Sequence, residues 1–125
     1  MRNFRNYDIW LEAVAFADSI YAATENFPKY EIFSLANQMQ RAAVSISSNI
    51  AEGCSRDSAK DFAHFLELAI GSAFEVETQL LISQHRQYIS EEQYQKMIAS
   101  LDLIEKQIHQ LIKVVRGQSP SQSQR

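Results

Sequence analysis

The chain has 125 residues, which is enough for one domain with a single hydrophobic core. Its 46% hydrophobic and 22% charged residues are ordinary for a folded protein and exclude an intrinsically disordered chain. Twelve basic residues against fifteen acidic ones give a net charge of −3, the wrong sign for an evident nucleic-acid binder, so such a role would need local clustering of positive charge.

The first two predicted elements are long helices, because three glycines and two prolines leave few breaks in the chain. The first helix is predicted over residues 8–24 with Asp8 as its N-cap, and Pro28 favours a break after it. The second is predicted over residues 32–53, where Gly53 ends it in a left-handed conformation. Apolar residues recur at helical spacing on both: Trp10, Ala13, Val14, Ala17, Ile20 and Tyr21, then Leu35, Met39, Ala42, Ile46 and Ile50.

Two further helices follow. Asp57 or Ser58 is predicted to cap the third, which runs to about His85 and has the spacing of a bundle seam. The segment from Ser90 to Gln93 is typical of a capping box at the start of the fourth. The apolar positions are Phe62, Leu66, Ala69, Ala73, Val76 and Leu80, then Tyr94, Met97, Leu101, Ile104, Ile108, Leu111 and Val115.

Long helices joined by short links predict an all-α fold, an antiparallel up-down-up-down four-helix bundle formed by residues 1–117. The Ser-, Gln- and Pro-rich segment 118–125 has nothing to bury and is predicted to be a disordered tail. The apolar runs are too short to cross a membrane, and the N-terminus lacks the apolar run of a secretory signal. A single cysteine, Cys54, cannot form an internal disulfide, which fits a cytoplasmic protein.

Two features exceed what a monomeric bundle needs. The third helix has a second apolar set, either covered by another subunit or simply a wider apolar stripe: Phe65, Ile70, Phe74 and Leu81. Polar residues on the second and third helices lie near the apolar faces, where we expect a buried network that fixes helix register or subunit pairing: Ser45, Asn49, Glu52, Ser72, Glu75 and Gln79.

Catalytic and metal sites are not evident in the sequence. A di-iron bundle needs paired Glu-x-x-His motifs, which His64 and His109 do not supply. Cys54 is predicted near a helix C-terminus, where the helix dipole disfavours a thiolate, so we expect an inert thiol. No glycine-rich phosphate loop is present. We therefore expect no enzyme activity, no metal, no cofactor and no small-molecule substrate.

An antiparallel bundle brings the start of the first helix, the link between the second and third, and the end of the fourth to one end. Half of the twelve basic residues would gather there as candidate nucleic-acid contacts: Arg2, Arg5, Arg56, Lys60, Lys113 and Arg116. Five acidic residues share that end, so an ordinary mixed surface is an equally good interpretation of the charge pattern.

Several segments resemble the bacterial four-helix bundle family encoded in 23S ribosomal RNA intervening sequences. The resemblance is carried by Asp8–Trp10, by Thr24–Pro28, by the run from Gln38 to Gly53, and by 69–72 and 75–80. It covers about residues 6–116. It implies a bundle that assembles as a homopentameric ring. Related accessory variability proteins of diversity-generating retroelements are strongly basic, bind nucleic acid and partner a reverse transcriptase, whereas this chain is acidic overall.

Two functional hypotheses follow. The first is a non-enzymatic, ring-forming scaffold that binds RNA or a nucleoprotein, such as a reverse transcriptase, through the basic residues. The second is a protein–protein adaptor without nucleic-acid binding, which predicts no salt-sensitive RNA affinity.

Overall fold

A computed structural model describes residues 2–117, which form a four-helix bundle, as predicted. None of the described helices combines the length and apolarity that a membrane-spanning segment requires. The helices are α1 (Asp8–Thr24), α2 (Leu35–Cys54), α3 (Ala59–His85) and α4 (Glu91–Gly117), and short 3₁₀ turns cover Phe4–Asn6 and Lys29–Glu31. The predicted tail, residues 118–125, lies outside the described residues.

The helices pack in chain order around the bundle. Within residues 2–117 the contacting pairs are α1–α2, α2–α3, α3–α4 and α4–α1, with the loosest packing between α1 and α4. The end of α2 lies on the start of α3, because Gly53 meets Phe62. The start of α2 lies on the end of α3, because the Ser83 hydroxyl donates to the Met39 sulfur. Consecutive helices therefore run antiparallel, and both ends of the bundle gather residues from distant parts of the chain.

The core follows the predicted helical spacing on α3 without exception, since all six seam residues are at most 1% exposed. Helix α1 differs from the prediction on one edge. Val14 and Tyr21 are 42% and 46% exposed, whereas Ile9 and Phe16 are buried. The buried stripe of α1 is therefore rotated away from Val14, toward the side that faces α2 and α4.

Two predicted helix caps are confirmed. The Ser58 hydroxyl accepts from the Asp61 amide at 3.0 Å. In the capping box, the Ser90 hydroxyl accepts from the Gln93 amide and the Gln93 side chain accepts from the Ser90 amide, both at 3.0 Å.

The predicted N-cap of α1 and the predicted start of α2 are wrong. Tyr7, not Asp8, occupies the extended N-cap position of α1, and Asp8 is the first helical residue. Helix α2 begins at Leu35 rather than residue 32, because a 3₁₀ turn follows Pro28. A Glu31 carboxylate oxygen accepts from the Leu35 amide at 3.3 Å and so caps the shifted start.

Gly53 has a different role from the one predicted. It does not adopt a positive φ, and α2 continues through it to Cys54. A Cβ atom at Gly53 would lie 2.9 Å from Cδ1 of Phe62 and 3.0 Å from Cβ of Phe65. The glycine is therefore needed because α3 approaches the backbone of α2 too closely for a side chain.

The capping box supports a testable difference between two serines. Ser90→Ala removes a bond to the Gln93 amide, so we expect the free energy of unfolding to fall by about 1 kcal/mol. Ser34→Ala is the matched control, because Ser34 occupies the N-cap of α2 but its side chain makes no capping bond. Urea unfolding of both variants at one protein concentration checks this, and an equal loss for both would contradict it.

Candidate functional site

The six basic residues named from the sequence lie on segments that meet at one end of the bundle. The Arg2 amide donates to the Cys54 carbonyl at 3.3 Å, and Nη1 of Arg2 donates to the Arg56 carbonyl at 2.9 Å. The last turn of α4 is joined to α3 by an ion pair of 2.8 Å between Arg116 and Glu67. We call this set the basic end: Arg2, Arg5, Arg56, Lys60, Lys113 and Arg116.

Three guanidinium groups of the basic end lie over phenylalanine rings. The pairs are Arg2 over Phe62, Arg5 over Phe4 and Arg56 over Phe65, with Cζ-to-centroid distances of 4.4, 4.5 and 4.6 Å. Such cation–π contacts hold the guanidinium plane in place. Each group donates one N–H within the chain and keeps its other N–H groups at the edge. Those N–H groups are suited to donate to phosphate or carboxylate oxygens.

Two of the six positive charges are already paired with carboxylates. Arg56 pairs with Glu52 one helical turn earlier, and Arg116 pairs with Glu67. Lys60 and Lys113 are exposed and form no ion pair with any residue in the range 2–117. The positive charge available to a ligand is therefore carried mainly by Arg2, Arg5 and the two lysines.

Three of the predicted network residues come together between α2 and α3. The Ser72 hydroxyl donates to the Ser45 hydroxyl at 2.9 Å, which joins the two helices. The Asn49 amide group donates to both the carbonyl and the hydroxyl of Ser45, each at 2.9 Å. Because all three side chains are half-buried, this network fixes the register of α2 on α3.

The other three predicted network residues lie apart from it. Glu52 pairs with Arg56, and Glu75 is exposed. Gln79 is 6% exposed, and its Oε1 atom has no hydrogen-bond partner within the described part of the chain. The predicted six-residue network is therefore divided into a serine–asparagine network, a surface ion pair and two separate side chains.

The second apolar set of α3 lies on both sides of the helix. At 100° per residue, Ile70, Phe74 and Leu81 fall within about 40° of one another, whereas Phe65 is at least ~140° away. Phe65 borders α2, where Arg56 covers its ring, and Ile70 is buried. Phe74 and Leu81 are 50% and 43% exposed, so these two are the members available to another molecule.

The link between α1 and α2 exposes three large side chains, two of which the sequence prediction placed in the first turn of the second helix. Tyr30, Ile32 and Phe33 are 72%, 50% and 90% exposed, and we call them the apolar knob. The link is held to the α3–α4 turn, because the Tyr88 hydroxyl donates to a Glu31 carboxylate at 2.9 Å. The sequence signal was the cluster of apolar residues after Pro28, outside any helical periodicity.

An acidic cluster lies between α3 and α4. One carboxylate oxygen each from Glu77, Asp102 and Glu105 lies within 4.8 Å of the others, close enough to share a divalent cation or a proton. Burial, then repulsion by the Glu77 carboxylate, raises the pKa of Glu105 to about 7. Sequence reasoning missed this cluster because residues of two helices form it.

The chain is similar to a protein family and to a solved structure. The family model of the 23S rRNA-intervening sequence protein matches residues 5–110. The chain belongs to this family. A crystal structure of a protein of unknown function from the S23 ribosomal protein family of Bacteroides thetaiotaomicron is also similar, with 29% identity and a TM-score of 0.76 over 84% of this chain and 98% of that one. None of the curated proteins matches.

The run from Gln38 to Gly53, which resembles the 23S rRNA-intervening sequence family, has a structural role in this chain. Those residues lie in α2, and the run contains Ser45 and Asn49 of the polar network. It ends at the glycine that admits α3. This part of the sequence that carried the resemblance therefore contributes to the α2–α3 contact.

The one cysteine of this family member is wholly buried. Burial raises the pKa of the Cys54 thiol, an effect that the nearby positive charge of Arg2 partly offsets. A thiolate is therefore disfavoured at neutral pH, as expected for a structural rather than a nucleophilic cysteine.

Proposed function

We propose that the protein is a non-enzymatic scaffold whose copies self-assemble, and that its basic end contacts RNA or a nucleoprotein. The observation that carries the proposal is the set of three guanidinium groups held over phenylalanine rings at one end of the bundle. Family membership supports it, because the family is described by its origin in 23S rRNA intervening sequences. The pentameric ring that the resemblance implies would place the basic ends of all copies on one face.

The members of the basic end are expected to contribute unequally. Arg5, Lys60 and Lys113 are exposed, so they can approach phosphate without losing a carboxylate partner. Arg2 uses one N–H for the Arg56 carbonyl and keeps the others. Arg56 must share its charge with Glu52, so its contribution to phosphate binding is smaller.

Charge reversal of the two exposed lysines tests the proposal. For Lys60→Glu and for Lys113→Glu, each made singly, we expect weaker binding of a labelled single-stranded RNA, measured by fluorescence anisotropy at several salt concentrations. The plot of log affinity against log salt should become shallower by about 0.7 for each phosphate that the protein no longer neutralises on a single strand. Neither lysine is buried, so the fold should be unaffected.

The matched control is Lys106→Glu, which makes the same change of charge on the exposed surface of α4, away from the basic end. Its RNA affinity should fall less than that of either variant at the basic end, with the salt slope unchanged. Equal losses for all three lysines would show only the effect of net charge, and unchanged affinity at Lys60 and Lys113 would reject this surface.

A protein–protein adaptor is the second candidate, and exposed side chains on α3 favour it. Leu68, Phe74, Leu81 and Ile82 are between 43% and 50% exposed, more apolar surface than one helix of a bundle usually presents. This candidate predicts no salt-sensitive RNA binding by the unaltered protein. The anisotropy experiment therefore separates the two.

A further inference from the structure

The apolar knob has a fixed position, although its side chains face solvent. Glu31 accepts from the Tyr88 hydroxyl through one carboxylate oxygen and from the Leu35 amide through the other. The Tyr30 and Tyr88 hydroxyls lie 3.2 Å apart. Phe33, at 90% exposed, therefore projects from a link that is tied to both α2 and the α3–α4 turn. Exposed aromatic side chains are enriched at interfaces, and this one stands on a link that is held in place.

A groove runs between α1 and α4, the loosest contact of the bundle. Two adjoining cavities of about 270 and 370 Å³ form it and share Ser19 and Ser100 in their walls. Small side chains, among them Ala15 and Ala22, leave the space open. An apolar cavity of about 150 Å³ holds benzene, so either cavity can hold a phenylalanine ring. Phe33 of the same chain does not fill it, since that side chain is exposed.

The knob and the nearer cavity lie at the same end of the bundle. Ala22 and Ala23 of that cavity are in the last turn of α1, and Gln93 and Lys96 are in the first turns of α4. The knob follows the end of α1 directly. When copies are related by rotation about an axis parallel to the helices, each residue keeps the same position along that axis in every copy. The knob of one copy is then level with this cavity on the next copy.

One acidic residue near the knob and one basic residue of the nearer cavity have opposite charges. Lys96 lines the nearer cavity, and Glu25 lies at the base of the knob, just past the end of α1. Both side chains are exposed, and neither forms an ion pair with another residue of the described range. We propose that Phe33 of one copy inserts into the α1–α4 groove of the next copy, with Glu25 facing Lys96. The contact joins two different surfaces, so it is head-to-tail and closes into a ring when the rotation between copies allows.

This inference rests on the proposed self-assembly, and a cross-linking experiment separates the two. Phe33→Cys and Ser100→Cys proteins are prepared singly, mixed and oxidised, with the buried Cys54 left in place. A disulfide-linked dimer is expected in the mixture and not in either protein alone. The control mixture pairs Ser100→Cys with Phe74→Cys, an exposed aromatic position on α3 outside the knob, and should give none.

Light scattering supplies the second readout. Phe33→Ala should assemble about tenfold more weakly or worse, the effect of losing a central aromatic anchor, with its circular dichroism unchanged. Val114→Ala, at an exposed position on α4 outside the knob and the groove, should keep the mass of the unaltered protein. A monomer at every concentration of unaltered protein would refute the self-assembly and the inference together. An assembly that forms no 33–100 cross-link, or that survives Phe33→Ala, would overturn the inference alone.

Discussion

Gly53→Ala is expected to lower the free energy of unfolding by about 2 kcal/mol, although alanine is the better helix former. Gly53 lies inside α2, and the added Cβ would meet the ring of Phe62 at 2.9 Å, Cβ of Phe65 at 3.0 Å and the Phe62 carbonyl at 3.2 Å. Phe62 is 1% exposed, so its ring cannot turn into solvent, and the other two atoms belong to the frame of α3. Relief of the overlap therefore requires the two helices to separate.

Gly71→Ala is the matched control and should have the opposite sign. Gly71 lies inside α3 and is exposed, and no atom of residues 2–117 that the added group could meet lies within 4 Å of where its Cβ would be. Alanine there should raise the free energy of unfolding by about 0.5–1 kcal/mol, because it restricts the unfolded chain without meeting a neighbour. Urea unfolding at one fixed protein concentration measures both variants. Equal effects at the two glycines would show that the helix propensity of the residue, and not the close approach of α3 to α2, decides the role of Gly53.

The two glycines show why the sequence predicts the positions of the helices better than the contacts between helices. Helical periodicity and caps are properties of neighbouring residues, so α1, α3 and the capping box at Ser90 could be predicted closely. Gly53 stands near the end of a periodic segment, where a left-handed stop is the usual role of glycine. Its actual role depends on Phe62, which the sequence places in another helix.

The basic end could be predicted as a location but not as a set of contacts. Antiparallel topology is enough to bring Arg2, Arg56 and Arg116 to one end. Whether each guanidinium lies over a ring or pairs with a carboxylate depends on side-chain directions that only the packed helices define, as for Arg116 and Glu67. The apolar knob was missed for a related reason, because Ile32 and Phe33 were predicted in the first turn of the second helix. The structure begins α2 at Leu35 and leaves both side chains exposed.

Glu105→Gln is expected to stabilise the protein at alkaline pH and to have little effect at acidic pH. Burial is the main cause that raises the pKa of Glu105 from its ordinary value of 4.5 to about 7, and the Glu77 and Asp102 carboxylates add to it. A raised carboxyl pKa means that the folded state holds the proton more tightly than the unfolded state. The corresponding stability is fully present below about pH 4.5 and is lost as the pH rises through about 7.

Glutamine cannot ionise, so the variant escapes this loss. After allowance for solvent screening of a partly exposed group, we expect it to exceed the unaltered protein by about 1–2 kcal/mol above pH 8 and to match it near pH 4.5. Glu77→Gln should give a smaller gain with the same sign, because it removes the repulsion and leaves the burial. Glu75→Gln, an exposed position on α3 outside the cluster, is the control for loss of a surface charge. Urea unfolding across this pH range measures the differences, and a gain for Glu105→Gln that stays constant with pH would rule out titration of the cluster as its cause.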